Sequence, residues 1–114
     1  MEGKDLGKTG IGIAPNIAGL LAYLCGFITG IVFYVIEKEN KFVRFHALQS
    51  IIVFGGLFII NIAVNIIIPF GIGAVLSLLT GLLGLILWII LMIKAYQGEM
   101  YKIPVAGDMA ESKI

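Results

Sequence analysis

The chain has a single histidine and a single cysteine. The histidine has a polar neighbour at helical spacing. His46 and Ser50 are four residues apart, the separation at which two side chains meet on one face of a helix. A hydroxyl beside an imidazole is the beginning of a nucleophile–base pair, but that chemistry needs a third group to orient the ring. No Asp or Glu falls within residues 45–93. Cys25 stands in an apolar run with no charge beside it to favour the thiolate, so it reads as inert. One cysteine excludes an internal disulfide, and one cysteine with one histidine leaves too few ligands for a protein zinc site. No catalytic, cofactor-binding or metal-ligating residue is expected, and the chain reads as a non-enzyme.

The polar residues around His46 form a pattern of another kind. At about 100° per residue, His46, Ser50, Asn61 and Asn65 lie on one broad face of a helix, with Gln49 further round. An amide facing hydrocarbon without a partner costs several kcal/mol, so Asn61 and Asn65 must face protein or water. Interhelical hydrogen bonding, worth about 0.6–2 kcal/mol in membranes, satisfies that need as well as a polar path does. Arg44, His46, Gln49, Ser50, Asn61 and Asn65 are the candidate functional surface. The first three polar residues of the helix, His46, Gln49 and Ser50, are expected to face a hydrated groove beside Arg44. A second pattern is one of small residues: Gly19, Ala22, Gly26 and Gly30 on one helix, and Gly73, Ser77, Gly81 and Gly84 on another. In lipid, small residues let helix backbones approach closely, either within one bundle or between copies.

The elements that carry these residues follow from composition and charge. The 114 residues are 60% hydrophobic and only 13% charged, with a net charge of +1 and a mean hydropathy of +1.06. A soluble domain is nearer a quarter charged, and a net charge this small gives no basic footprint for nucleic acid. The charges are also segregated, since residues 9–36 and 45–93 contain no Asp, Glu, Lys or Arg. A helix needs about 20 apolar residues to cross the hydrocarbon core. The first run predicts one crossing over 16–36. The second predicts two, over about 45–68 and 74–96, joined by a tight turn at Pro69-Phe70-Gly71, because proline removes a backbone donor and ends a helix. The expected fold is all-α and polytopic: a 1–15 tail, a three-helix transmembrane domain over 16–97, and a 98–114 tail. The first apolar stretch exceeds a signal-peptide h-region and has no cleavage pattern behind it. The runs do not alternate as barrel strands do.

Three crossings place the 37–44 loop and the C-terminal tail on one side, with Lys38, Lys41, Arg44, Lys94, Lys102 and Lys113. Only Lys4 and Lys8 fall on the other. That bias predicts a multi-pass protein of the cell membrane with its loop and tail in the cytoplasm and its N-terminus outside.

The segment Ile36-Glu37-Lys38-Glu39-Asn40-Lys41-Phe42-Val43-Arg44-Phe45-His46-Ala47-Leu48-Gln49-Ser50 resembles the signature of a family of small archaeal and bacterial membrane proteins of unassigned function. That family is distantly similar to the chloroplast inner-envelope import component. The ending Gly98-Glu99-Met100-Tyr101-Lys102-Ile103-Pro104, with Gly107 and Asp108, resembles the family's ending. The chloroplast relatives have four spans, where this chain has room for three. The resemblance implies no catalytic residues. Three functions remain in view: a structural or accessory membrane protein acting through helix contacts, an oligomeric component of polypeptide translocation, and a small-solute channel or transporter. The lack of intramembrane charge weighs most against the last. The partners expected are the lipid bilayer and, through the small-residue stripes, further copies or other membrane proteins; no cofactor is implied.

Overall fold

A computed structural model describes residues 6–113. It contains five helices: α1 Pro15–Leu24, α2 Phe27–Ile36, α3 Lys41–Ile67, α4 Phe70–Tyr96 and α5 Ala106–Ser112. Pro15 opens α1 at a position where its missing N–H would have had no helical partner. Asn40 caps α3, its side-chain oxygen accepting from the Val43 N–H at 3.0 Å. The cap explains why α3 begins at Lys41 rather than near residue 45. Ile68 and Pro69 alone separate α3 from α4, so the expected turn is tighter than its Pro-Phe-Gly reading and Phe70 already belongs to a helix.

α3 and α4 are each 27 residues long, about 40 Å at 1.5 Å per residue. They are the two helices long and apolar enough to cross a membrane, and only 11% and 6% of their most apolar stretches are buried. The core helix of a soluble protein would be covered; these are bare hydrocarbon.

The single helix expected over 16–36 is not formed. It breaks at Cys25-Gly26 into two ten-residue helices. Gly26 has φ +63°, a conformation open to glycine and strained for other residues. The two halves fold back on each other. The main-chain N–H groups of Gly10 and Ile11, ahead of α1, lie 2.9 and 3.3 Å from the Glu37 carboxylate, behind α2. Ten helical residues span about 15 Å, so straight α1 and α2 would hold those groups far apart. The break also changes where the charged segments lie. Residues 6–11, the 37–40 link and the tail after Tyr96 gather at one end of the molecule, where Asn40 donates to the Leu6 and Lys8 carbonyls and Asn16 to that of Tyr96. Lys8 therefore shares its end with Lys38 and Arg44. Lys4 lies outside the described residues.

The α1–α2 hairpin packs along the first half of α3. Phe27 stacks near Phe58 at 5.4 Å, and the tip at Gly26 faces Phe54. Its core joins Ala18, Ala22, Phe33, Phe42, Val43 and Ala47, with Tyr23, Leu91 and Ala95 on the α4 side. Beyond the tip only α3 and α4 continue.

Candidate functional site: a buried polar latch

Breaking a helix among apolar neighbours frees backbone groups that need partners. Here side chains supply them. The Thr29 hydroxyl accepts from the Cys25 N–H at 3.0 Å and donates to the Ala22 carbonyl at 3.2 Å. Ser50 donates to the Gly26 carbonyl at 2.8 Å. Trp88, on α4, donates its indole N–H to the Tyr23 carbonyl at 2.7 Å. Ser50 thus serves the tip of the hairpin.

His46 and Gln49 serve the tail. His46 Nε2 lies 2.8 Å from the Glu99 carbonyl and Nδ1 2.6 Å from the Tyr23 hydroxyl. A carbonyl only accepts, so the proton sits on Nε2 and the Tyr23 hydroxyl donates to Nδ1. Gln49 donates to the same hydroxyl at 3.0 Å and to the Tyr101 carbonyl at 2.8 Å, and accepts from the Ile103 N–H at 2.8 Å. Gln49, Tyr23 and His46 form one directed chain that ties α1, α3 and the segment 99–103 together. Tyr23, Phe42 and Phe45 surround the imidazole edge-to-face. Gly107 lets α5 close over this region, since a Cβ there would collide with Lys102 and approach Gln49 Oε1.

His46, Gln49 and Ser50 are wholly buried. They do not line an open groove: the tail and the hairpin occupy the space where the groove was expected. Among the described residues, no buried side-chain nitrogen or oxygen is left without a partner. Arg44 stands apart from the three. Its guanidinium donates to the Tyr34 and Glu37 carbonyls at 3.1 and 2.8 Å and lies over the Tyr34 ring, closing the C-terminal end of α2, where helix carbonyls favour a cation. Asn61 and Asn65 are remote from all four. Asn65 donates to Asn61 Oδ1 and to Ser77 Oγ, and Ser77 donates to Asn61 Oδ1 at 3.0 Å, a rung between α3 and α4.

Glu37, which the residue pattern did not single out, organises the cation-rich end. Its buried carboxylate accepts main-chain N–H bonds from Gly10, Ile11, Glu39 and Asn40. Burial works to raise its pKa; the four N–H donors outweigh that and hold it below its ordinary value. Tyr23, Thr29 and Trp88 were missed as well. Each is a polar atom in an apolar run, and that is the signal available for them in sequence.

The small residues divide. Gly30 sits against the Ala47 carbonyl, where a Cβ would come within 2.9 Å, and Gly19 against Phe42 and Ala95. Ala22 is buried in the core. Gly26 makes the turn, Gly73 faces the end of α3 and Gly84 touches Leu57. Gly81 is exposed with nothing near its Cβ position, so the expected α4 stripe does not pack through it.

The profile of the magnetosome magnetite crystal formation protein family matches residues 9–110. A UPF0132 membrane protein of Methanocaldococcus jannaschii is 56% identical over 106 residues, covering 93% of this chain and 94% of the relative. One from Archaeoglobus fulgidus is 48% identical, covering 87% and 94%. A second from M. jannaschii is 50% identical, covering 89% of this chain and 71% of the relative. No solved structure is significantly similar. The matches carry the small-membrane-protein part of the resemblance read from residues 36–50 and do not extend it to the chloroplast import component. With two bare apolar helices and close relatives named as membrane proteins, the chain is a membrane protein and belongs to the magnetosome magnetite crystal formation protein family, beside the archaeal UPF0132 proteins.

Proposed function

We propose that the chain is a structural or accessory membrane protein that acts without catalysis, through the surfaces its helices present to lipid and to other membrane proteins. In this reading α3 and α4 cross the bilayer, and α1–α2 enters and leaves from one side. Two crossings and one half-crossing replace the three crossings expected from the charge gaps. All the described cations then lie on one side, which the positive-inside rule makes cytoplasmic, together with residues 6–11 and the segment after Tyr96. The observation that carries the functional reading is the latch. The hydrogen bonds of His46, Gln49 and Ser50 are spent on Tyr23, the tail and the hairpin tip, so none is free to bind or transform a substrate.

The family description names magnetite crystal formation, but among the described residues no three His, Cys, Asp or Glu side chains gather as metal ligands. Iron handling by a preformed site is therefore less well supported than a structural role. Translocation or solute conduction is the weaker alternative, because a polar path along α3 would have to displace the tail and separate Asn61 and Asn65 from Ser77. Recording from purified protein in planar lipid bilayers separates these readings. Silence is expected. A steady conductance altered in N61A/N65A protein would establish a channel and overturn the structural assignment.

A further inference from the structure

Resting on the half-crossing just described, we infer that the protein favours membranes curved toward its cation-rich side, acting as a wedge in one leaflet. The shape comes from the fold. From Lys41 to the level of the hairpin tip at Phe54, α1, α2, α3 and α4 lie side by side. That stretch of α3 is about 20 Å long at 1.5 Å per residue, and the hairpin helices are about 15 Å each, half of a hydrocarbon core of about 30 Å. Beyond the tip only α3 and α4 remain, with Ile66 and Phe70 76% and 91% exposed. Helices of similar diameter occupy similar area, so the near leaflet accommodates about twice the protein cross-section of the far one.

Two features make the wedge stiff and fix its direction. The hairpin is fastened rather than loosely inserted: Ser50 and Trp88 bond its tip, the Tyr23–His46–Gln49 chain its first arm, and Gly30 seats its second arm on the Ala47 backbone. An inclusion that cannot change shape imposes its asymmetry on the lipid around it. The charged groups sit at the broad end, Lys38, Lys41 and Arg44 together with Glu37, Glu39 and the Lys94–Glu99 and Lys102–Glu111 pairs of the tail, and hold that end at the headgroups; the narrow end has the uncharged Ile68-Pro69 turn. The preferred surface is therefore a bilayer with its convex leaflet at the broad end.

The test uses full-length protein carrying one fluorophore at a cysteine placed at Lys102 in a Cys25→Ser background. It is reconstituted into phosphatidylcholine–phosphatidylglycerol vesicles spanning a range of diameters. Protein per unit membrane area is read vesicle by vesicle, and an impermeant quencher selects the copies with Lys102 outside. The expected result is a density of outward-facing copies that rises several-fold as diameter falls, with inward-facing copies showing no such rise. A density independent of diameter overturns the inference. So does a stable oligomer, counted by photobleaching, whose additional copies fill the space beyond the hairpin tip and leave density flat. Cysteines at Lys8 and Lys38 report separately on the half-crossing. Labelled from the same side with flat density, they retain the hairpin and reject the wedge; labelled from opposite sides, they reject both.

Discussion

The polar residues of this chain hold a tail and a broken helix in place, and their substitutions should behave accordingly. Removing the Tyr23 hydroxyl with Tyr23→Phe takes a donor from His46 and an acceptor from Gln49. A loss of about 1–2 kcal/mol in thermal stability is expected. Gln49→Ala removes three bonds, two of them to the main chain of the tail, and should make the chain beyond Gly98 more sensitive to limited proteolysis in detergent. Normal stability and an unchanged cleavage pattern in both variants would count against the latch. Glu37 gives a pH signature. Its pKa is held below the ordinary value of 4.5, so its contribution to stability is complete above that value and is lost as the pH falls through the lower, folded value. Unfolding temperature in detergent should therefore drop below pH 4.5, with Glu37→Gln less stable at neutral pH and its acid-side drop reduced. An equal drop in both proteins would assign the effect to other groups.

The helices show where the residue pattern was readable and where it was not. The uncharged run 45–93 and Pro69 were enough to place α3 and α4, because a breaker between two apolar stretches is a local signal. The run 9–36 had the length of one crossing and was read as one. Its break depends on partners distant in sequence: Ser50 on α3 and Trp88 on α4 satisfy the backbone that the break exposes. Gly26 was visible as a small residue, but its spacing cannot distinguish a packing glycine from one that turns the chain at φ +63°. The same ambiguity joined Gly30 and Gly81 in one category. They separate in the fold. Gly30→Leu should force α2 off α3 and cost about 1–3 kcal/mol as an overpacked contact, whereas Gly81→Leu should leave thermal stability nearly unchanged. Equal effects at the two positions would argue against the hairpin packing described here.

At the scale of the molecule, the membrane class was legible from composition, because a chain with 13% charge cannot clothe itself for water. The arrangement of its ends was not. Counting cations on alternate loops presumes that every apolar run crosses; once 9–36 turns back, Lys8 joins the other described cations at one end. The candidate site was half legible. His46, Gln49 and Ser50 stood out as a cluster of polar types, while their employment depended on residues 99–103, which pattern alone does not bring to α3. The bulk of the core sits at that crowded end, where Tyr23, Val43, Phe45 and Ala95 are fully buried.

The uncharged Ile68-Pro69 turn has a consequence for how such a chain enters a membrane. In the proposed topology it is, among the described residues, the only connection that must reach the far side, and the segment from Phe45 through Ile93 that surrounds it has no Asp, Glu, Lys or Arg. Carrying a lysine or arginine through the hydrocarbon centre costs about 2.5–3.5 kcal/mol on an insertion scale, and none of the described cations needs to make that passage. α3 and α4 can partition as a preformed helical pair, with the α1–α2 hairpin settling beside them from the side on which it is made. Insertion of the described residues would then need a lateral opening into lipid and no passage of a charged side chain through it.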